Sequence, residues 1–342
     1  MLEPIVVVFG CDRNYVPHLA ATLMSVLANG GGDSFVFHIV QQDFDAATRA
    51  KFAALVAPYR NARLEWPTLE IPRASAYVQR GHLTLAAYFR IFIPDLLPRT
   101  SDRAIYLDSD LIVTGSLRGL WNADLGGRAL GAVRDPIRIQ QDLQDRYVKL
   151  GLPTHAHYFN SGVLVFDLAR WRGEGIAARV AGFAVDHPER ITWADQDALN
   201  AVLHDDYTAL PMTWNLQRRM CHMLPRDLGL SVPEYVQLRR HPRVVHFTEA
   251  TKPWGYRDGH PFAHLYFRYL RMTPFYDQVR RNWRLSFNTT LGRWLRRLKN
   301  ELKVLRPALW WRERTDHTPR PSLASLPLTP DPKPSLISQG RS

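Results

Sequence analysis

A chain of 342 residues with 46% hydrophobic and 22% charged side chains has the apolar content for one large domain or two modest ones. No apolar run approaches the ~18–20 residues that a bilayer crossing needs, and two cysteines, Cys11 and Cys221, imply no disulfide framework and point to a reducing compartment. The net charge of +12 is uneven: residues 1–278 hold 30 basic against 28 acidic side chains, 279–314 hold 11 against 2, and 315–342 hold 3 against 2, so the nearly neutral body argues against nucleic acid as a partner.

Along the chain, strand-like and helix-like segments alternate. Ile5–Phe9 is a β-branched run closed by Gly10, Cys11 and Asp12; with no basic flank before it, it reads as a strand and turn rather than a signal peptide. Pro17–Leu27 has apolar residues at helical spacing, Phe35–Val40 is a second strand, Ala46–Ala57 a second helix and Arg63–Trp66 a third strand. Leu83–Ile93 predicts a helix and Ala104–Asp108 a strand. This alternation implies βαβ units and a mainly parallel sheet, whose ligands collect at the C-terminal strand ends, where Asp12 and the Asp108/Asp110 pair both fall. After Gly131 the pattern is less regular: Tyr158–Asp167 is strand-like, Trp193–Asn200 opens a helix, and Arg243–Phe247 is a short strand. From Thr318 the chain is rich in Pro and Ser and is expected to be disordered.

Asp108 and Asp110 flank Ser109 at the end of an apolar segment. Residues two apart in a strand share a face, so the carboxylates converge if the strand continues through them, and they repel unless a cation or proton lies between. Mg²⁺ or Mn²⁺ is the natural occupant. The competing reading, one Asp capping a turn and the other solvated, is not excluded by so short a pattern. Two chemistries use such pairs. Aspartyl-phosphate enzymes carry D-x-D-x-[TV], which Ile112 breaks; nucleotide-sugar transfer uses the pair to hold a metal on the donor diphosphate.

Six stretches decide between them: Phe9–Tyr15 (FGCDRNY), Ala87–Phe92 (AYFRIF), Tyr106–Val113 (YLDSDLIV), Tyr158–Leu168 (YFNSGVLVFDL), Trp193–Asn200 (WADQDALN) and His246–Trp254 (HFTEATKPW). In these, in this order and over roughly residues 5–275, the chain resembles the family 8 glycosyltransferases, retaining enzymes that include bacterial lipopolysaccharide galactosyl- and glucosyltransferases and glycogenin. The resemblance implies a GT-A-like α/β nucleotide-sugar-binding fold over 1–278 and a UDP-hexose donor, with galactose and glucose both open. It also implies residue roles. Asp12 and Asn14 would meet the uracil end of the donor. Asp108, Asp110 and His246 would ligate Mn²⁺ (or Mg²⁺), with Ser109 between the two aspartates in the donor site. Lys252 would meet the diphosphate; Arg90, Asn160 and Asp195 would hold the sugar, with Gln196 beside its anomeric carbon. Asp135 would face sugar or acceptor. An amide is a poor nucleophile, so same-face attack is expected, with Asp195 or Asp197 as nucleophile left open. One departure stands out: where the family commonly has glycine, this chain has Glu249, whose carboxylate is expected to turn away from a diphosphate.

Residues 279–314 carry Leu291, Leu295, Leu298, Leu302 and Leu305 in one helical stripe among Arg293, Arg296, Arg297, Lys299 and Lys303. That is the profile of a basic amphipathic helix on an anionic membrane, so the expected enzyme is cytoplasmic and peripheral on the inner face of the cell membrane; the family resemblance, not this segment, implies a glycan or glycolipid acceptor such as lipopolysaccharide core. The rival readings are a metal-dependent phosphatase or nucleotidyltransferase, and a non-catalytic binder of anionic membranes.

Overall fold

The structure, a computed structural model, describes residues 2–79, 84–136, 140–255 and 260–284. Most of the basic segment 279–314 and all of the tail 315–342 therefore lie outside the described residues. In chain order, the strands are β1 (Ile5–Gly10), β2 (Phe35–Val40), β3 (Ala62–Glu65), β4 (Arg103–Leu107), β5 (Leu111–Val113), β6 (Leu130–Arg134), β7 (Phe159–Asp167), β8 (Tyr207–Ala209), β9 (Leu216–Gln217) and β10 (Val244–His246). The α-helices of eight residues or more are α1 (Val16–Asn29), α2 (Ala46–Val56), α3 (Gln140–Leu150), α4 (Ile176–Asp186), α5 (Ala194–Leu203), α6 (Val232–Arg240), α7 (Ala263–Leu270) and α8 (Tyr276–Arg284). α8 runs through the 278/279 boundary, and Val279 is buried in the core beside Phe275. No described helix is long and apolar enough to cross a membrane.

A seven-stranded sheet has the order β3-β2-β1-β4-β7-β6-β8. β1, β2, β3 and β4 are mutually parallel where they pair, and β7 is antiparallel to β4 and β6. After β1 the chain moves outward through β2 and β3, then returns to place β4 on the other flank of β1. That reversal is a topological switch point, where the connections diverge and leave a crevice outside the strand ends. Asp12 follows β1 and Asp108 follows β4, so both open into this crevice. Because β7 is antiparallel, its first residues, not its last, lie beside the end of β4: Leu107 pairs with Val163, and the Asp108 N–H donates to the Gly162 carbonyl at 2.9 Å. The register of β7 against β6 shifts between Ala132 and Val133, from Leu164 to Asn160, an irregularity that leaves Ser161 and Gly162 outside the regular β6 ladder.

A second sheet, β5-β10-β9, begins directly after Asp110. The expectation that the two aspartates share one strand face is therefore corrected. β4 stops at Leu107, and Asp108, Ser109 and Asp110 form the corner between the sheets. Antiparallel pairing of His246 with Leu111 and a 3.0 Å bond from the Phe247 N–H to the Asp110 carbonyl bring the end of β10 against that corner. The helix expected over Leu83–Ile93 is, over Leu85–Phe92, of the 3₁₀ kind.

The corner is pinned from below by α1, an almost wholly buried helix that carries two buried hydroxyls. Thr22 Oγ1 lies 3.0 Å from the Ser109 carbonyl and 2.7 Å from that of Leu111, while Ser25 Oγ accepts the Val113 N–H at 2.9 Å. Buried carbonyls without partners are costly, so Thr22→Val should lower unfolding free energy by about 1–3 kcal/mol. Urea denaturation checks this; a loss within error of zero would mean that water replaces the hydroxyl.

Candidate active site

The crevice is a cavity of about 530 Å³. At its floor each aspartate divides its two oxygens between two tasks. Asp108 Oδ1 accepts from the Tyr106 hydroxyl at 2.9 Å and pairs with Arg90 Nη2 at 2.9 Å; its Oδ2 is 3.5 Å from His246 Nε2. Asp110 Oδ2 pairs with Lys252 Nζ at 2.5 Å; its Oδ1 is 3.1 Å from His246 Nε2. One oxygen of each carboxylate holds a protein cation, and the other turns to a shared point that His246 also faces. Ligand atoms of Asp108, Asp110 and His246 lie within 4.8 Å of one another. Burial would raise the Asp110 carboxyl, but Lys252 and His246 outweigh it and hold the group well below the usual carboxylate range.

The tautomer of His246 follows from its neighbours. Asn160 Oδ1 accepts the Gly162 N–H at 3.0 Å, and a backbone N–H only donates. Asn160 Oδ1 also accepts from Asn215 Nδ2 at 2.8 Å, which leaves Asn215 Oδ1 facing His246 Nδ1 at 3.0 Å. Nδ1 must then carry a proton, which turns Nε2 to the carboxylates, the arrangement of a metal-ligating histidine oriented from behind. A hard or borderline divalent ion suits two carboxylates and an imidazole. Space is kept by Gly162: a Cβ there would overlap His246 Cε1 and lie 2.6 Å from Asp108 Oδ2.

The same logic orients Gln196. Its Oε1 accepts from the Ser161 N–H at 3.1 Å and Asn160 Nδ2 at 3.0 Å, so its Nε2 faces Asp135 Oδ2 at 3.2 Å. Burial raises the Asp135 carboxyl, with Arg146 and Arg219 opposing. Asp195 is 2% exposed, and its Oδ2 lies 3.1 Å from Arg90 Nε without a hydrogen bond, because that N–H donates to the Ala87 carbonyl. Arg90 also donates to Ser161 and lies over the Tyr106 ring at 4.4 Å. Asp197 is engaged elsewhere: it accepts from the Tyr158 hydroxyl and from the Thr192 and Trp193 N–H groups at 2.6–2.7 Å, fastening the start of α5.

Asp12 Oδ1 accepts the N–H groups of Asn14 and Tyr15, and its Oδ2 accepts from Thr84 Oγ1 at 2.9 Å. Asn14 itself is exposed and does not line the cavity. Ser109 Oγ donates to the Gly10 carbonyl at 2.9 Å, tying β1 to the corner. Lys252 Nζ donates to Asp110 Oδ2 and to the Phe247 carbonyl, and two residues on Trp254 stacks on His18 at 3.5 Å between ring centres. Burial drives the His18 pKa down to about 3, so that contact is between neutral rings. Glu249 does not turn away from the cavity. It lines it, with its carboxylate 3.5 Å from both Arg218 Nε and Arg219 Nε.

Sequence reasoning therefore assembled Arg90, Asp108, Asp110, Asn160, Asp195, Gln196, His246 and Lys252 around one cavity, and assigned no role to Tyr106, Ser161, Gly162 and Asn215. The first three lie inside quoted motifs and differ only in being read as strand residues. Asn215 stands in an irregular segment with no motif around it.

Residues 6–258 match the sequence profile of Glycosyl transferase family 8. General stress protein A of Bacillus subtilis is 30% identical over 268 residues, covering 77% of this chain and 91% of that protein. The lipopolysaccharide 1,3-galactosyltransferase of Salmonella typhimurium is 26% identical over 272 residues, with 78% of each chain covered. In fold, the chain is similar to the galactosyltransferase LgtC solved with donor and acceptor sugar analogs, at a TM-score of 0.69 and 24% identity, covering 79% of this chain and 96% of that one.

Two outcomes are expected of these side chains. If Asp108, Asp110 and His246 hold a divalent ion, Gly162→Ala should weaken its binding by about 10–100-fold, the range seen when residues behind a metal ligand change; calorimetry with Mn²⁺ or Mg²⁺ on a variant with native circular dichroism measures it. The Asp195 carboxyl is raised to about 6 by burial, which Arg90 opposes and Asp108 reinforces. A carboxyl with a raised folded pKa contributes its stability below the unfolded value and loses it as pH rises through the folded one. The wild type should therefore lose about 3 kcal/mol relative to Asp195→Asn between about pH 4 and pH 7. A difference that stays flat in urea titrations across that window would mean that Arg90 compensates the carboxylate fully.

Proposed function

The chain belongs to glycosyltransferase family 8, and from that premise we propose that it moves a hexose, galactose or glucose, from a UDP-sugar to a glycan or glycolipid acceptor of the lipopolysaccharide-core kind, with retention of configuration. The observation that carries this reading is the convergence of Asp108 Oδ2, Asp110 Oδ1 and His246 Nε2 beside Lys252, at the switch point where Gln196 is held with a fixed amide orientation. Relatives whose names state lipopolysaccharide glucosyl- or galactosyltransferase activity support the donor and acceptor class.

Asp108, Asp110 and His246 would hold the divalent ion, Mn²⁺ in preference to Mg²⁺ because an imidazole is among the ligands. The ion would supply Lewis-acid neutralisation of the charge growing on the departing diphosphate. Lys252 adds a point charge to the same leaving group, and its bonds to Asp110 and the Phe247 carbonyl preorganise it. Asp12 would meet the uracil end of the donor and Arg90, Asn160 and Asp195 the hexose, with Asp135 beside the acceptor, while Asn14, outside the cavity lining, would contribute only its backbone bond to Asp12. Gln196 Oε1 already accepts two hydrogen bonds, so it has little capacity left to attack an anomeric carbon, and Asp197 accepts three. This favours same-face displacement, in which the departing phosphate takes the proton of the acceptor hydroxyl. An aspartyl-phosphate mechanism is disfavoured, because Asp108 is bound by Arg90 and Tyr106 rather than free to attack. Attachment to the inner face of the membrane through 279–314 rests on the leucine stripe and its basic flank, which lie outside the described residues.

Incubation with UDP-glucose or UDP-galactose and Mn²⁺ should release UDP faster when acceptor glycan is added, and EDTA should abolish release. Gln196→Ala should slow transfer by roughly 10²–10³-fold, the cost of one lost electrostatic contact, yet leave a product of retained configuration by proton NMR. An inverted product, or a glycosyl adduct trapped on Asp195, would replace this mechanism with another.

A further inference from the structure

The cavity changes sign along its length. Its floor is rich in carboxylates, whereas Arg146, Lys149, Arg190 and Arg219 line it elsewhere. The chain of amides from His246 through Asn215, Asn160 and Gln196 ends at Asp135, and the charges acting on Asp135 are those of Arg146 and Arg219. Arg146 therefore stands at the far end of that chain from the candidate metal point, and Lys149 shares its helix, whereas Arg219 lies on the wall that carries Glu249.

Two of these cations are already paired with carboxylates: Arg190 with Glu189 at 3.6 Å and Arg219 with Glu249 at 3.5 Å. Arg146 and Lys149 have no carboxylate within ion-pair distance among the described residues. They are three residues apart on α3, hence on one face. Both reach toward the segment before α5: the Arg146 guanidinium lies 4.9 Å from the Tyr158 ring centre and 5.4 Å from that of Trp193, and Lys149 Nζ donates to Thr192 Oγ1 at 2.9 Å. Trp193 is 42% exposed beside them. Solvated helix cations ordinarily wander; these two are held, around a bare indole, at the wall of a cavity. Asp135 and Asp145 also line the cavity, but neither carboxylate is within ion-pair distance of Arg146 or Lys149.

We propose that this rim is an acceptor subsite selective for a sugar that carries an anionic substituent, a phosphate or a carboxylate, with Arg146 and Lys149 binding the anion and Trp193 supporting the sugar ring. A planar guanidinium and an adjacent ammonium suit the several oxygens of such a group, and charge-assisted bonds are the stronger kind. The apolar face of a pyranose suits an exposed indole. The proposal rests on the hexosyltransferase reading, which places the donor at the switch point and leaves this rim for the acceptor.

The test uses the full chain with saturating UDP and Mn²⁺, so that the donor phosphate positions are filled, and titrates glucose, glucose 6-phosphate and glucuronic acid by calorimetry. At least one anionic sugar should bind about tenfold more tightly than glucose. That gap should narrow as NaCl rises from about 0.05 M to 0.5 M, as the Debye length contracts. Response to glucose 6-phosphate alone identifies a phosphate, and response to glucuronic acid alone a carboxylate. Arg146→Ala with Lys149→Ala should close the gap while UDP binding persists. Because Arg146 packs over Tyr158, Lys149→Glu at an exposed position is the second variant, and it should make the anionic sugars bind no better than glucose. Equal affinities for all three sugars in the wild type, or a preference that survives in either variant, overturns the proposal. Sugar binding needs no turnover, so absent UDP-hexose hydrolysis would count against the hexosyltransferase reading while these titrations still judge the subsite.

Discussion

Two carboxylates one residue apart have to be held against their own repulsion, and the rest of the site is arranged around that constraint. At 4 Å the repulsion is about 1 kcal/mol in bulk water but about 4 kcal/mol at the effective dielectric of a protein surface. The structure meets it by giving each carboxylate its own cation, Arg90 for Asp108 and Lys252 for Asp110, on the oxygen that faces away from the other. Because the cations occupy outer oxygens, the inner ones remain directed at a common point. Fold topology supplies the cations: Arg90 comes from the 3₁₀ segment before β4, and Lys252 from the loop after β10. A sheet change between Asp108 and Asp110 lets the two residues answer to different neighbours. Had β4 continued through both, their carboxylates would share one face and one environment.

A second constraint is directional. Amides and imidazoles can each present a donor or an acceptor, and their orientation matters wherever a metal or a sugar must be met. Here the choice is removed by two backbone N–H groups, those of Ser161 and Gly162, which can only donate. From Gly162 the order passes through Asn160 and Asn215 to His246, and from Ser161 through Gln196 to Asp135. The register shift between β6 and β7 leaves the Ser161 N–H out of that ladder and open to a side chain. One backbone N–H, that of Gly162, thus determines, through two amides, which nitrogen of His246 faces the carboxylates.

The alternating βαβ half was legible because its strands are β-branched runs and its carboxylates punctuate strand ends. Asp12, Asp108 and Asp110 were therefore placed in the crevice by periodicity and topology alone. Arg90, Asn160, Gln196, His246 and Lys252 needed the resemblance, since each has an ordinary structural reading in isolation. What escaped was the corner. Nothing local in the run from Ala104 to Val113 says that the chain leaves one sheet at Leu107 and enters another at Leu111; that follows from pairing with β10, more than 130 residues away in sequence. Thr22, Ser25 and Asn215 escaped for the same reason: a buried hydroxyl or amide reveals its purpose only when the carbonyl or ring it meets is known.

Glu249 brings these themes together. Three described non-glycine residues have left-handed backbone, Arg73, Ala194 and Glu249, and two of them adjoin the cavity: Ala194 precedes Asp195, and Glu249 lines the wall. For residues with a Cβ this conformation costs roughly 1–2 kcal/mol, so something must hold each in place. At Ala194, 1% exposed, burial and the Asp197 bonds to Thr192 and Trp193 do so. At Glu249, φ is 73°, a backbone for which glycine is the unstrained choice, and the carboxylate reaches two arginines instead. The side chain that a glycine would lack is thus what holds negative charge on this wall, lowering the positive potential that Arg219 and Lys252 present to the cavity. Strain and charge are coupled at this one residue: removing the side chain relaxes the backbone and at the same time leaves the Arg219 guanidinium, which lines the cavity, without that carboxylate.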